Sequence, residues 1–125
     1  MSETVLVVDD DPVILRLLEV NFGLGGYDVL VAADASSALE LARTSRPDVV
    51  VTDVMMPTMS GLELLAALRE GEATQSIPVL LVSARAQLDD VQAGLDAGAD
   101  GYVTKPFEPL DLIDRVGAVL AGRPS

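Results

Sequence analysis

Short apolar runs alternate five times with amphipathic stretches, and this alternation limits the fold of the chain more than any other feature. Val5-Leu6-Val7-Val8 opens the series with no polar residue between its aliphatic ones. A strand that is apolar on both faces must be covered on both faces, as central strands of parallel sheets are. An amphipathic stretch follows at once. Asp11 is placed to cap it and Pro12 to occupy its first helical position. Val13, Leu17, Val20 and Leu24 recur at helical spacing, and Gly23, Gly25 and Gly26 end the helix.

The unit then repeats. Residues 28–32 read as the second strand, and Ser36 or Ser37 opens a helix with Leu39, Leu41 and Ala42 toward a core. Arg46-Pro47 breaks that helix. Residues 49–52 form the third strand, which ends at Asp53, and a loop over residues 54–59 carries Met56-Pro57. Ser60 and Glu63 have the spacing of a capping box for a helix with Leu64, Leu65 and Leu68 on its apolar face and Gly71 after its end. Residues 78–82 form the fourth strand, ending at Ser83; Leu88, Val91 and Leu95 mark the next helix, stopped near Gly98. Residues 101–104 make a short fifth strand ending at Lys105-Pro106. The last helix carries Leu112, Ile113, Val116, Val119 and Leu120 on one stripe. Strands alternating with helices predict an α/β fold with a doubly wound, five-stranded parallel sheet. Right-handed crossovers leave few topologies, and the flavodoxin-like (βα)5 order 2-1-3-4-5 leads, ahead of Rossmann-like variants. Residues 1–122 are expected to form one domain, with 123–125 a tail or the start of a linker.

Composition narrows the chemistry. The 125 residues are 50% hydrophobic, enough for a core without disulfides or metals to staple it. Cysteine and histidine are absent, which excludes thiol catalysis, serine–histidine triads and the usual zinc sites. The net charge of −12 repels phosphate backbones and anionic membranes, so no direct nucleic-acid or membrane partner is expected. No apolar run approaches the roughly 20 residues that span a bilayer. Ser2, Glu3 and Thr4 lead straight into a strand with no signal peptide, so the cytoplasm is the expected location.

Ligands of open α/β sheets bind beyond the carboxyl ends of the strands, at the switch point, which lies between strands one and three in this order. Asp9 and Asp10 follow strand one, Asp53 follows strand three, Ser83 follows strand four and Lys105 follows strand five. Carboxylates this close cannot all ionise unaided. A divalent cation resolves the conflict, and with no histidine or cysteine present a hard, oxygen-seeking ion such as Mg²⁺ is the natural choice, Mn²⁺ being the other that fits. A carboxylate beside such an ion can attack phosphorus, because metal and ammonium neutralise the charge on the equatorial oxygens. Each residue alone has an ordinary explanation: Asp11 as a cap, Asp53 as a turn residue, Lys105 as surface charge. Lys105 is nevertheless the only lysine in the chain.

These segments resemble the receiver domains of two-component response regulators along nearly the full chain. The resemblance is carried by Val7-Val8-Asp9-Asp10, by Asp53-Val54-Met55-Met56-Pro57 with Gly61 beyond it, by Val82-Ser83-Ala84, and by Gly101-Tyr102-Val103-Thr104-Lys105-Pro106-Phe107. It implies that Asp53 accepts a phosphoryl group, that Asp10 binds Mg²⁺ directly and Asp9 often through water, and that Met55 offers its backbone carbonyl to the ion. Ser83 would move to contact the phosphoryl group, Lys105 would pair with it, and the bond to Pro106 would be cis. Tyr102 would turn inward as Ser83 moves, remodelling the face built from the fourth helix, fifth strand and fifth helix. Met55 and Arg85, each two residues past a site residue, are expected to border the phosphoryl group and tune its lifetime. Ser83 in place of threonine removes a methyl that could bias the switch. The implied partners are a sensor histidine kinase or a histidine phosphotransfer protein, and an output domain or downstream protein. Homodimerisation through the switch face is common in the family. The domain would catalyse only its own phosphorylation and dephosphorylation, and so would not be an enzyme in the usual sense.

Two other readings compete. Asp9-x-Asp11 after a first strand resembles the opening motif of haloacid-dehalogenase-type phosphatases, with Asp9 as nucleophile and Asp11 as general acid. The chain is short for that family, a helix begins at once with Pro12, and Asp53 has no role. A phosphorylation-independent receiver scaffold is the other reading, and the intact set of site residues argues against it.

Overall fold

The computed structural model describes residues 2–85 and 87–122. The elements are β1 (Thr4–Val8), α1 (Pro12–Leu24), β2 (Asp28–Ala32), α2 (Ala35–Ser45), β3 (Val49–Asp53), α3 (Gly61–Glu70), β4 (Val79–Ser83), α4 (Leu88–Asp96), β5 (Gly101–Thr104) and α5 (Pro109–Gly122). The five strands form one sheet in the order β2-β1-β3-β4-β5, with every pairing parallel. Fold class and strand order are those the sequence predicts. Residues 123–125, expected as a tail or linker start, lie outside the described residues.

The period of two along each strand splits the core into two layers. Leu6, Val8, Val50 and Leu81 face α2 and α3, where Ala38, Leu64, Leu65 and Leu68 meet them. Val5, Val7, Val49, Val51 and Val82 face α1 and α5, against Phe22, Leu112 and Val116. This is why β1, β3 and β4 carry no polar alternation: both faces are covered. Each such side chain contributes roughly 1.5–3 kcal/mol on burial. Register places Val8 beside Thr52, and Asp53 beside Val82, so the strands end nearly level at one edge.

Helix ends follow local chemistry. The Asp11 carboxylate accepts from Val13 N at 2.9 Å, and Pro12 begins α1. Ser60 and Glu63 form the reciprocal capping box of α3. The start of α2 differs from expectation. Asp34 is the cap, accepting from Ser37 N at 2.7 Å and from the Ser37 hydroxyl at 3.1 Å. The Ser37 amide holds the exposed Asp34 carboxyl below its ordinary value, as suits a carboxylate at a helix start. Ser36 and Ser37 therefore lie inside the helix, two and three residues past its cap, and the helix starts earlier than a serine cap would place it.

Two apolar stripes also need correction. In α1 the residues that meet the sheet are Leu18 and Phe22, with Ile14 and Leu15 beside them. Val13, Leu17, Val20 and Leu24, the set that recurs at helical spacing, are exposed at 75%, 44%, 41% and 83%. The helix is apolar most of the way round, so periodicity alone cannot say which stripe meets the sheet. In α4, Leu88 is 86% exposed and Leu95 42%, and the one buried residue is Gly94.

Phe22 is fully buried and meets the edge of Tyr27 with ring centroids 5.5 Å apart. Phe22→Ala is expected to cost about 3–5 kcal/mol through lost burial and the cavity left behind. A urea titration followed by circular dichroism checks this; an unchanged midpoint would mean that α1 is not anchored through this ring.

Candidate functional site

The parallel topology delivers chemistry to the carboxyl edge of the sheet. Asp9 directly follows β1, Asp53 and Ser83 are the last residues of β3 and β4, and Lys105 directly follows β5. Asp9, Asp53 and Ser83 are all buried, whereas Asp10 is exposed. Lys105 Nζ lies 3.2 Å from Asp9 Oδ2 and 3.3 Å from Asp53 Oδ1. The backbone amide of Asp11 donates to Asp9 Oδ1 at 2.9 Å, which fixes the Asp9 carboxylate from its other side. The Lys105–Pro106 peptide is cis.

Charge is unbalanced here. Burial pushes the Asp53 carboxyl above its ordinary value; Lys105 opposes this and the Asp9 charge adds to it. For Lys105, burial disfavours the ammonium, but Asp53 and then Asp9 outweigh it, and the group titrates above its ordinary value. Carboxylate oxygens of Asp9, Asp10 and Asp53 all lie within 4.8 Å of one another. An all-oxygen donor set with two buried members and one exposed member fits a hard divalent cation that keeps part of its water shell.

The loop after β3 is held tightly. Gly61 N donates to the Val54 carbonyl at 3.0 Å. A Cβ at Gly61 would overlap the Asp53 carbonyl oxygen and sit 2.9 Å from Val54 Cα, so only glycine lets α3 start this close to the end of β3. The Met55 amide is near enough to the Asp53 carboxyl to favour its charged form slightly, and the Met55 side chain is half exposed at the mouth.

Beyond β4 the backbone links the site to β5. Arg85 N donates to Ser83 Oγ at 3.1 Å, and the Tyr102 hydroxyl donates to the Arg85 carbonyl at 2.8 Å. Tyr102 is half-buried and lines a cavity of about 450 Å³ with Val54, Met55, Leu62, Arg85 and Asp90. All the residues singled out in the sequence are thus gathered at one edge: Asp9, Asp10, Asp53 and Lys105 in direct proximity, and Ser83, Arg85 and Tyr102 in one hydrogen-bonded chain beside them.

Residues that sequence reasoning passed over support this arrangement. At Gly94, a Cβ would lie 2.9 Å from Leu81 Cδ1 and 3.1 Å from the Tyr102 ring. A glycine in mid-helix is the signal that could have found it. At the opposite edge, Arg69 donates to the carbonyls of Ile77 and Gly98 at 2.7 and 2.8 Å and pairs with Asp100 at 3.1 Å, tying α3 to the start of β5. Nothing in the local sequence announces that clamp.

Two outcomes test this geometry. The raised Asp53 value means its charged form is disfavoured in the fold, so Asp53 costs stability above its folded pKa, and that cost fades as pH falls through it. Asp53→Asn is expected to melt at a higher temperature near neutral pH, with the difference disappearing in acid; thermal denaturation across pH checks this. Gly94→Ala gains about 1 kcal/mol of helix propensity, but overpacking costs about 1–3 kcal/mol, and the ring should leave the cavity. Loss of contacts from the Tyr102 ring to Leu81, read by NMR, is the expected result, and a ring left in place would show that the methyl is accommodated otherwise.

Comparison with known proteins agrees with the geometry. The family model described as the response regulator receiver domain matches residues 5–117. The alkaline phosphatase synthesis transcriptional regulatory protein PhoP of Bacillus subtilis is 42% identical over 120 residues, covering 96% of this chain and 49% of that protein. The transcriptional regulatory protein PrrA of Mycobacterium tuberculosis is 44% identical over 124 residues, covering 99% of this chain and 52% of that protein. This chain spans about half the length of these relatives. Among solved structures, the chemotaxis protein CheY4 of Vibrio cholerae superposes with a TM-score of 0.90 at 34% identity, covering 95% of this chain and 99% of that one. The receiver domain of the Francisella response regulator 1452 gives a TM-score of 0.90 at 38% identity, covering 96% and 98%.

Proposed function

This chain belongs to the response regulator receiver domains of two-component systems, and we propose that Asp53 is the residue on which it takes a phosphoryl group. The observation that carries this is the placement of Lys105 Nζ between the buried Asp9 and Asp53 carboxylates. A lone buried carboxylate would serve no structural end here; one paired with an ammonium beside a metal-ready acid cluster is poised for phosphoryl transfer.

The step begins with a phosphohistidine donor. An Asp53 carboxylate oxygen attacks phosphorus, the phosphorus–nitrogen bond breaks, and its electron pair stays with the donor imidazole. Asp10, Asp53 and the Met55 carbonyl would hold Mg²⁺, or Mn²⁺, with Asp9 reaching it through water. When bound, the ion neutralises charge on the phosphoryl oxygens and orients them. Lys105 exchanges its contact with the Asp53 carboxylate for one with a phosphoryl oxygen. The Ser83 hydroxyl gives up the Arg85 amide and donates to another. Because Arg85 also holds the Tyr102 hydroxyl, this movement reaches β5 and the face it shares with α4 and α5. Met55 and Arg85 flank the path of attacking water and set the phosphoryl lifetime. The domain catalyses nothing beyond its own phosphorylation and dephosphorylation.

The donor is a sensor kinase or a histidine phosphotransfer protein. Support comes from the exposed stripe on α1, because Leu17 and Ile14 join Ala84, Pro106 and Phe107 in an apolar surface at the mouth of the site. That surface suits a helical donor docking along α1. The switch acts on an output domain or a downstream protein, and the matched relatives, transcriptional regulatory proteins about twice as long as this chain, favour an output that controls transcription. The receiver itself, at −12, does not touch DNA. No described helix is long and apolar enough to cross a membrane, and we place the protein in the cytoplasm. The phosphatase reading leaves Asp53 without a task and is not favoured.

Incubation with acetyl phosphate, with and without Mg²⁺, tests the assignment by intact mass. One phosphoryl adduct that requires Mg²⁺ and is absent in Asp53→Asn is the expected result. Phosphate release surviving Asp53→Asn but not Asp9→Asn would make the chain a phosphatase instead.

A further inference from the structure

We propose that Arg85 is a two-position cation, held by Asp90 of α4 while Asp53 is free and drawn to the phosphoryl group once Asp53 carries one. The inference rests on the reading of Asp53 as acceptor and concerns how α4 learns of it.

The backbone of Arg85 is fixed at the site. Its amide is bonded to Ser83 and its carbonyl to Tyr102, so the guanidinium is the mobile part of the residue. That guanidinium meets Asp90 through Nη1 at 3.9 Å from Oδ1, with the Arg85 side chain 60% exposed. A long, exposed pair of this kind is weak and easily given up. Arg85 and Asp90 line the same cavity as Val54 and Met55, the two residues that follow Asp53. The cation and its present partner therefore both face the space beside the acceptor.

Charge decides where the guanidinium rests. Before phosphorylation the Asp53 carboxylate already has an ammonium at 3.3 Å, so Asp90 competes well for Arg85. A phosphoryl group adds negative charge and three acceptor oxygens, and a planar guanidinium matches them better than it matches one distant carboxylate. No other described cation lines that cavity. Arg69, the nearest alternative by sequence, is held at the far edge of the sheet by two carbonyls and Asp100.

Release matters because α4 has little else to hold it. Its cap residue Gln87 makes no side-chain cap bond, and its one buried residue is a glycine. Removing the tether at Asp90, in the first turn, frees the end of α4 nearest the site. Phosphorylation then reaches α4 by loss of one ion pair, in parallel with the Ser83–Tyr102 route.

Beryllofluoride binding to the intact chain in Mg²⁺ tests the proposal in four proteins: wild type, Asp90→Asn, Arg85→Ala and the double variant. Asp90→Asn should bind roughly two- to fivefold more tightly, the worth of one exposed pair. Arg85→Ala should bind roughly tenfold more weakly, the worth of one charge-assisted contact. The double variant should match Arg85→Ala, because without the cation Asp90 has nothing to withhold. Hydrogen exchange over residues 88–96 should already be raised in free Asp90→Asn and should rise in wild type on binding the analogue. An Asp90→Asn gain of equal size in the Arg85→Ala background would overturn the proposal, since simple removal of a negative charge would then account for it. Equal affinities in all four proteins would also overturn it while leaving Asp53 as acceptor; failure of every protein to bind the analogue or form the adduct would overturn both.

Discussion

Asp9 and Asp53 lie buried at the ends of neighbouring strands and share the ammonium of Lys105 at 3.2 and 3.3 Å. Two carboxylates against one cation is an arrangement that a folded protein tolerates only where the surrounding structure holds it in place. Here three parallel strands do so. β1, β3 and β5 end on the same edge, and apolar packing on the two faces of the sheet holds those ends together. The consequence is a site with more negative than positive charge at its centre and an all-oxygen donor set that suits a hard divalent cation. Its tension is electrostatic, stored between side chains, while the backbone supporting it is ordinary sheet.

Around this centre the molecule divides into stiff and loose parts. The sheet, α2, α3 and the capping box of α3 place Asp53 and Gly61 within contact of one another. α5 packs on the other face through Leu112, Val116 and Leu120. α4 is the exception: a short helix with exposed leucines, uncapped by a side chain and resting on Tyr102 through a glycine. A change of charge at the site can move it because so little apolar surface anchors it. The link between the two regimes is the run from Ser83 to Arg85, whose amide, carbonyl and guanidinium face the site hydroxyl, Tyr102 and Asp90 in turn.

Much of this was legible beforehand. Residues 28–32 and 101–104 are strands with the bounds read from the sequence, β1 and β3 differ by one residue at one end, and β4 is shifted by one residue at both ends. Unbroken apolar runs have few alternatives once amphipathic stretches separate them. Asp11 and Ser60 cap as their spacing suggests, because capping is a contact between residues two or three apart. The α2 cap was misplaced for the same local reason: Asp34 competes with two serines for one role, and a carboxylate accepts more strongly than a hydroxyl. The α1 stripe could not be settled locally at all, since Val13, Leu17, Val20 and Leu24 are as periodic as the residues that meet the sheet.

By itself the sequence determined what depends on neighbours along the chain: element types, caps, breaks, the parallel architecture, and the acids, hydroxyl and lysine that fall just past strand ends. The tertiary structure alone decided what depends on approach between distant segments. It brings Lys105 onto Asp9 and Asp53, closes Gly61 against the Asp53 carbonyl, slides Gly94 over Tyr102, and aims Arg85 at Asp90. Such contacts are set by packing of whole layers to within a fraction of an ångström, and no periodicity in a single chain carries that information.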